Sequence, residues 1–377
     1  MCSRQRSIDA RRRSGGFTLI ELMVGVMLGL LASLAVTHVL VNSEGQKRTT
    51  TSGSDAQVNG ALALSTLERA IKPAGYGFAA VPVAIGCPLR AYFNNAQITT
   101  LDGYAFPTSL APVIITDGAA GAPDSIRILA SGKYSYSVPL RIASPGYAPP
   151  NLSFPVASVR GVEKGDLLVA VASTSAAPGI PCEMFQATAN PGTASEVARA
   201  DNAWNMASKP AGSFPESGAL INMGPAPVDA TYSISNNALV VRTLKIASDA
   251  NSTPSYPAAN ELFPNVVQLQ AFYGKDTNAD GSVDLWNTVV PTTTADWQQV
   301  LAVRLALVAR STQYEKEEVT RANISWDVGN AGTVTGSAAC ATSKCVTIQI
   351  DTLPDWKHYR YKVFETVIPL RNMLWNS

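Results

Sequence analysis

From residue 17 to residue 41 the chain is apolar. Only Glu21 carries a formal charge there, and His38 is the one other ionisable side chain. At a helical rise this run spans roughly 37 Å, against a bilayer core of about 30 Å. A transmembrane helix over 17–41 is predicted. Polar residues follow from 42 to 55, with Gly45, Gly53 and a threonine run, the weakest part of any continuous helix. Periodicity then returns. Val58, Ala61, Leu62, Leu64, Leu67 and Ile71 form an apolar stripe, with Glu68, Arg69 and Lys72 off it. Pro73 and Gly75 stop the helix. The helix is thus expected to run on, with or without a bend, to about Lys72, and its second half to pack on a globular domain.

Residues 81–227 hold 17 of the 24 prolines. That density excludes long helices and favours short strands and ordered loops. Candidate strands are 125–130, 166–173 and 238–245, and 201–224 reads as loop. The last third is more regular. Residues 265–273 alternate as a strand. Residues 300–310 are long and apolar, and the pattern alone allows helix or strand. The absence of helix caps and the β-rich neighbours favour strand. Residues 345–351 alternate, and 359–368 follow as another strand. The fold class expected is α+β: a long N-terminal transmembrane helix packed on a β-rich head.

Charge changes the picture at the N-terminus. Arg4, Arg6, Arg11, Arg12 and Arg13 precede the apolar run. Such arginines keep that end in the cytoplasm, so the rest should lie across the membrane. An ordinary secretory signal has its small-residue cleavage site after the apolar core. Here Gly15 and Gly16 come before it. Cutting after Gly16 would leave the hydrophobic segment on the mature chain. A carboxylate inside a bilayer costs about 2.5–3.5 kcal/mol even on the lenient insertion scale, so Glu21 needs a partner. The amine created on Phe17 would lie one helical turn away. A neighbouring subunit's amine could also meet it when helices pack side by side.

The length of 377 residues allows two or three domains. Without its first 16 residues the chain has 24 basic against 27 acidic side chains. That argues against a nucleic-acid surface, which needs a basic patch. Beyond the leader stand four cysteines, Cys87, Cys182, Cys340 and Cys345, in what should be an oxidising compartment. Four cysteines allow three connectivities. The pairing expected is Cys340 with Cys345 and Cys87 with Cys182, the alternative being free buried thiols. A zinc site lacks histidines at suitable spacing.

Residues 276–284 carry oxygen donors at every second position, the spacing of the first half of an EF-hand calcium loop. Asp276, Asn278 and Asp280 would offer side-chain oxygens, Ser282 its carbonyl, and Asp284 a direct or water-bridged carboxylate. Asn287 stands where that loop wants a bidentate glutamate, which predicts weaker affinity. The other reading is a plain Asp-Gly hairpin turn. For catalysis little is present: no Gly-x-Ser-x-Gly elbow, no Walker loop and no His-Glu-x-x-His. His358 reads as a surface residue before a strand. Trp286, Trp297, Trp326 and Trp356 read as core or rim residues.

Behind the basic segment, Gly16, Phe17, Thr18, Leu19, Ile20 and Glu21 resemble the class III leader of type IV pilins and pseudopilins. The resemblance implies that a prepilin peptidase cuts after Gly16 and methylates the new amine of Phe17. It also implies that Glu21 aids subunit docking. Three later pieces resemble PilW-type minor pilins. One is Leu67-Glu68-Arg69-Ala70-Ile71 followed by Ala74-Gly75-Tyr76-Gly77. The others are the strand 267–274 with its Asp-rich turn, and the closing residues from Phe364 to Asn372. Lys72-Pro73 departs from that family, which more often continues without proline. The proline-rich middle matches nothing.

The resemblance divides the chain into a cleaved leader (1–16), a membrane helix (17–41), its periplasmic continuation (42–73), a proline-rich head region (74–260) and a C-terminal sheet region (261–377). The implied place is the bacterial inner membrane with the head in the periplasm, and the pilus tip after assembly. The implied role is to start pilus assembly within a tip complex. Implied partners are the prepilin peptidase, minor pilins of the PilV, PilX, PilE and FimU types, the major pilin and a PilY-type tip adhesin. Two other readings are a J-type minor pseudopilin of type II secretion and a calcium-dependent tip adhesin.

Overall fold

In a computed structural model of the protein, residues 16, 18–134, 137–172, 181–193, 195–206, 208–246 and 253–374 are described. The chain divides into two compact units, Met1–Ser52 and Gly53–Ser377. One helix, Leu19–Ile71, belongs to both. It stops where the sequence says it must. Pro73 has no N–H to continue the ladder. Gly75 then adopts φ +78°, a conformation costly for any side chain, and its N–H bonds to the carbonyl of Leu129. The helix end is therefore tied directly to a head strand.

The face that the helix buries differs from the expected stripe. Ala56, Gly60, Ala63, Leu67 and Ile71 point inward, whereas Val58 is 53% and Leu62 51% exposed, and Ala61 is exposed too. Small residues decide this. A Cβ on Gly60 would stand 2.1 Å from the Phe364 ring, so only glycine lets the helix lie this close to the last strand. Leu67 and Ile71 of the expected stripe are buried in the core and Leu64 packs on it, while nearer its start small residues take the inward positions.

Beneath this helix lie two five-stranded sheets. The first is antiparallel, in the order Asn260–Pro264, Ala238–Thr243, Val228–Ser235, Ser125–Ala130, Val113–Thr116. The second runs Thr333–Val334, Leu285–Asn287, Val266–Lys275, Val300–Arg310, Tyr361–Pro369. The two join at the free edge of Val113–Thr116, where the Ile115 N–H donates to the buried Tyr273 hydroxyl at 2.6 Å. Leu67 and Ile71 of the helix, Ile126 and Leu239 of the first sheet, and Leu269, Leu305 and Ile368 of the second share one core. The regions 74–260 and 261–377 therefore do not separate: one core joins them. Strand 300–310 is buried on both faces, which is why its sequence is a continuous apolar run rather than an alternation.

The proline-rich middle builds a third sheet, Leu89–Arg90, Cys182–Gln186, Leu167–Val171, Ala219–Gly224, Leu140–Arg141. Its central strand is buried on both sides. Leu167 and Val169 enter one cluster with Trp204, Leu168 and Ala170 another with Phe185 and Phe154. Ala219–Gly224 corrects the expectation of a loop over 201–224. Loop signals upstream masked a six-residue strand that the flanking strands recruit by hydrogen bonding.

A buried carboxylate also ties the two helix-facing sheets together. Asp124, 1% exposed, accepts from the backbone N–H of Gly118 at 2.9 Å and of Ala271 at 2.7 Å. Burial raises its pKa, the two N–H groups lower it, and nearby Asp117 raises it again, leaving it at about 7. The folded state thus holds a proton that the unfolded chain releases near pH 4. Stability should fall as pH rises from about 4 to 7, by at most about 1.4 kcal/mol per pH unit, and then level off. Denaturant unfolding at pH 4.5, 6 and 8 checks this. The slope should shrink in Asp124→Asn; an unchanged slope in that variant would assign it to other groups.

Candidate functional site

Thr18 precedes the first helical residue, and Glu21 is three positions on. The Glu21 N–H donates to Thr18 Oγ1 at 3.3 Å, and Thr18 N donates to Glu21 Oε2 at 3.2 Å. The Thr18 hydroxyl adds a bond to the same Oε2 at 3.1 Å. This is a capping box, in which two helix-end donors are satisfied reciprocally. Glu21 therefore has a local structural duty that was legible as Thr-x-x-Glu and was missed. Among the described residues nothing donates to its second oxygen, Oε1. Gly16 is exposed, with no atom within 4 Å of where a Cβ would stand. Phe17 lies outside the described residues.

The helix over Leu19–Val41 is long and apolar enough to cross a membrane, and none of it is buried inside the protein. Glu21, Gly25, Gly29, Ser33 and Thr37 recur every fourth residue along it. Residues so spaced form one ridge, and small ones let a second helix approach closely. The Thr37 hydroxyl donates back to the Ser33 carbonyl at 2.8 Å, which keeps that polar group satisfied in an apolar surround.

The Asp-rich turn is organised by its own side chains. Asp276 accepts from the N–H of Gly281 at 2.7 Å and of Asp280 at 3.3 Å. Asn278 Oδ1 reaches the same Asp280 N–H at 3.0 Å, and Asp280 Oδ1 accepts from the Ser282 N–H at 2.8 Å. Burial pushes the Asp276 carboxyl up, but backbone donors led by Gly281 outweigh it and hold the group below its ordinary range. Asp284 is drawn instead to the Thr277 hydroxyl at 2.9 Å. Asn287, in the ligand position that departs from the calcium pattern, accepts from the Val289 N–H at 3.2 Å within the sheet. Asp276, Asn278 and Asp280 thus stand together on the turn, while the C-terminal donors face protein partners.

Cys87 is joined to Cys182 and Cys340 to Cys345, with Cα separations of 6.1 and 5.7 Å. Asp327 lies with Cys340 and Cys345 in a cluster of metal-ligating types. Both sulfurs are held in the disulfide, which leaves only the carboxylate, itself accepting from the Ser343 hydroxyl at 2.8 Å. His358 packs against Tyr314 with ring centroids 4.7 Å apart, and its Nδ1 is 2.8 Å from the Glu315 carbonyl. Those contacts hold a loop against the last strand's start.

Residues 11–37 match the prokaryotic N-terminal methylation motif. That motif, with the capped apolar helix and the β-rich head behind it, places the chain in the type IV pilin class. Proteins of this class share the first helix, so the head must decide which one this is. Residues 231–372 match the family described as type IV pilus-assembly protein W, which supports a PilW-type minor pilin. The matched span starts in Val228–Ser235 of the first sheet, includes the Asp-rich turn and ends at Asn372, which donates to the carbonyls of Pro73 and Ala74 at the helix end. Among solved structures, a type IV-like pilin from Thermus thermophilus aligns over 84% of this chain and 97% of its own, with 8% identity and a TM-score of 0.32. No curated protein matches the sequence.

The prepilin motif implies processing by a peptidase and association with other pilins in the pilus. The apolar helix fits anchoring in the inner membrane.

Proposed function

We propose that this PilW-type pilin helps to start pilus assembly and remains in a minor-pilin complex at the tip, its head in the periplasm before assembly. The partners proposed are minor pilins of the PilV, PilX, PilE and FimU types, the major pilin and a PilY-type adhesin. Cleavage after Gly16, with methylation of Phe17, prepares the N-terminus. The observation that carries the reading is Glu21: one carboxylate oxygen caps its own helix, and the other is left for a neighbour's N-terminal amine. The small-residue ridge running on from Glu21 gives a second helix room to bring that amine close.

Two variants separate the cap from the docking role proposed for Glu21. Glu21→Gln keeps the capping box, which accepts glutamine as well as glutamate, and removes only the charge. Glu21→Ala removes both, at about 1 kcal/mol for the cap. Membrane insertion should survive in each variant. Co-purification with the other minor pilins should fall at least tenfold in both. If Glu21→Gln assembles like wild type while Glu21→Ala does not, the carboxylate is a cap and not a docking charge.

Calcium at the turn 276–284 is a second proposal, supported by the grouping of Asp276, Asn278 and Asp280. A ligand that binds only the folded state stabilises it by about 1.4 kcal/mol at a tenfold excess over Kd. The detergent-solubilised chain should melt higher in millimolar calcium than in chelator, and Asp280→Ala should abolish the difference. Equal melting in calcium, magnesium and chelator would return the turn to a plain hairpin.

A further inference from the structure

The first sheet has a face that the helix does not cover, and a cleft of about 360 Å³ lies on it. Register explains its chemistry. Ile126 and Ile128 point into the core, so Ser125 and Arg127 of the same strand point out. Arg127 pairs with Thr231, and Thr231 with Arg242, so the three form one row across adjacent strands. Thr116 and Ser125 pair beside that row. Tyr104, 45% exposed, and the largely buried Phe106 also line it.

The two arginines differ in state. Arg127 is neutralised: its Nε and Nη2 donate to Asp229 at 2.7 and 2.6 Å, and its Nη1 to the Ala105 carbonyl at 2.9 Å. Arg242 meets no carboxylate among the described residues. Its guanidinium stacks 3.5 Å from the Tyr104 ring centroid, and its Nη1 donates to the Tyr256 carbonyl at 3.2 Å. Nη1 donates to the Pro257 carbonyl as well. Nε and Nη2 have no acceptor among the described residues. Stacking and the carbonyl bonds fix the plane of this group, so its free edge is already oriented for a planar anion.

We propose that this cleft binds one sugar ring bearing a carboxylate, of the uronic or sialic acid kind. The carboxylate faces the free edge of Arg242. The hydroxyls of Thr116, Ser125 and Thr231 exchange hydrogen bonds with the ring hydroxyls. Tyr104 supplies the apolar contact that a ring face needs. One guanidinium with no carboxylate partner among the described residues matches a monoanion. A cationic ligand is disfavoured, because the Asp229 carboxylate is closed off by Arg127 and the Tyr256 hydroxyl. This site does not depend on the assembly role and goes beyond it.

The full chain in detergent is titrated calorimetrically with glucuronate and with N-acetylneuraminate. Glucose, acetate, inorganic phosphate and N-acetylglutamate serve as comparisons. Saturable binding of at least one acidic sugar is expected, at least tenfold tighter than any comparison compound. Arg242→Gln should weaken it at least tenfold. Thr231→Val leaves both guanidinium groups in place and should weaken it several-fold, so the outcome does not hang on one variant's folding. No binding of either sugar overturns the proposal. So does equal binding of acetate or phosphate, which marks a simple anion site. Equal binding of N-acetylglutamate overturns it in favour of an acidic peptide, and binding unchanged in both variants places the sugar elsewhere.

Discussion

Replacing Cys87 and Cys182 together by serine is expected to lower the stability of the head by about 4–5 kcal/mol, while Cys340→Ser with Cys345→Ser costs about 2 kcal/mol. The difference comes from the loops closed in the unfolded chain. The first bridge spans 95 residues and the second 5. A longer closed loop removes more unfolded-state entropy. The first bridge also sits where the chain needs it. It lies at one edge of the third sheet, where Leu89–Arg90 pairs in parallel with Cys182–Gln186 through only two residue pairs. Residues between these strands include the Leu167–Val171 strand and much of the proline-rich segment, so reduction frees a large part of the insertion at once. Denaturant unfolding of the solubilised chain, oxidised and in both double variants, measures the two costs. Equal costs would show that local packing, not loop closure, sets the value of these bridges.

Asp229→Ala should be nearly as damaging, at about 3–5 kcal/mol, because it breaks a buried charge pair by removing one side only. Asp229 is 2% exposed and takes both the bidentate Arg127 guanidinium and the Tyr256 hydroxyl. Burial and the Asp229 charge push the Tyr256 hydroxyl far up, so it remains a donor at any ordinary pH. Removing the carboxylate leaves a cation and a hydroxyl donor without their acceptor, in a place that water reaches poorly. The double change Asp229→Leu with Arg127→Met removes the charge on both sides and should cost less than Asp229→Ala alone. Thermal or denaturant unfolding of the three variants checks this. A double variant worse than the single one would mean that the row supports the sheet by packing rather than by charge.

What the sequence determined was what is local or continuous. The leader and membrane helix depend on residues that are neighbours in the chain: arginines, Gly16, Glu21 and an apolar run. Strands 125–130 and 300–310 run over the expected residues, the second called a strand for its lack of helix caps and its β-rich neighbours. The PilW-type reading rested on the same kind of contiguous text, from Phe364 to Asn372. The capping box of Thr18 and Glu21 is equally local, since Thr-x-x-Glu lies within four consecutive residues.

Tertiary structure decided the rest. Which helix face is buried depended on Gly60 meeting Phe364, a contact over 304 residues that favours the smallest residues over the most apolar. Ala219–Gly224 became a strand because Leu167–Val171 and Leu140–Arg141 offered it hydrogen-bond partners, not because its own pattern demanded it. The Arg127–Asp229–Tyr256 cluster draws on residues 102 and 27 positions apart. Each reads alone as an ordinary polar or aromatic residue. Only the strand register, which sets every second side chain on one face and aligns rows across strands, brings them together and places Arg242 beside them, with no carboxylate partner among the described residues.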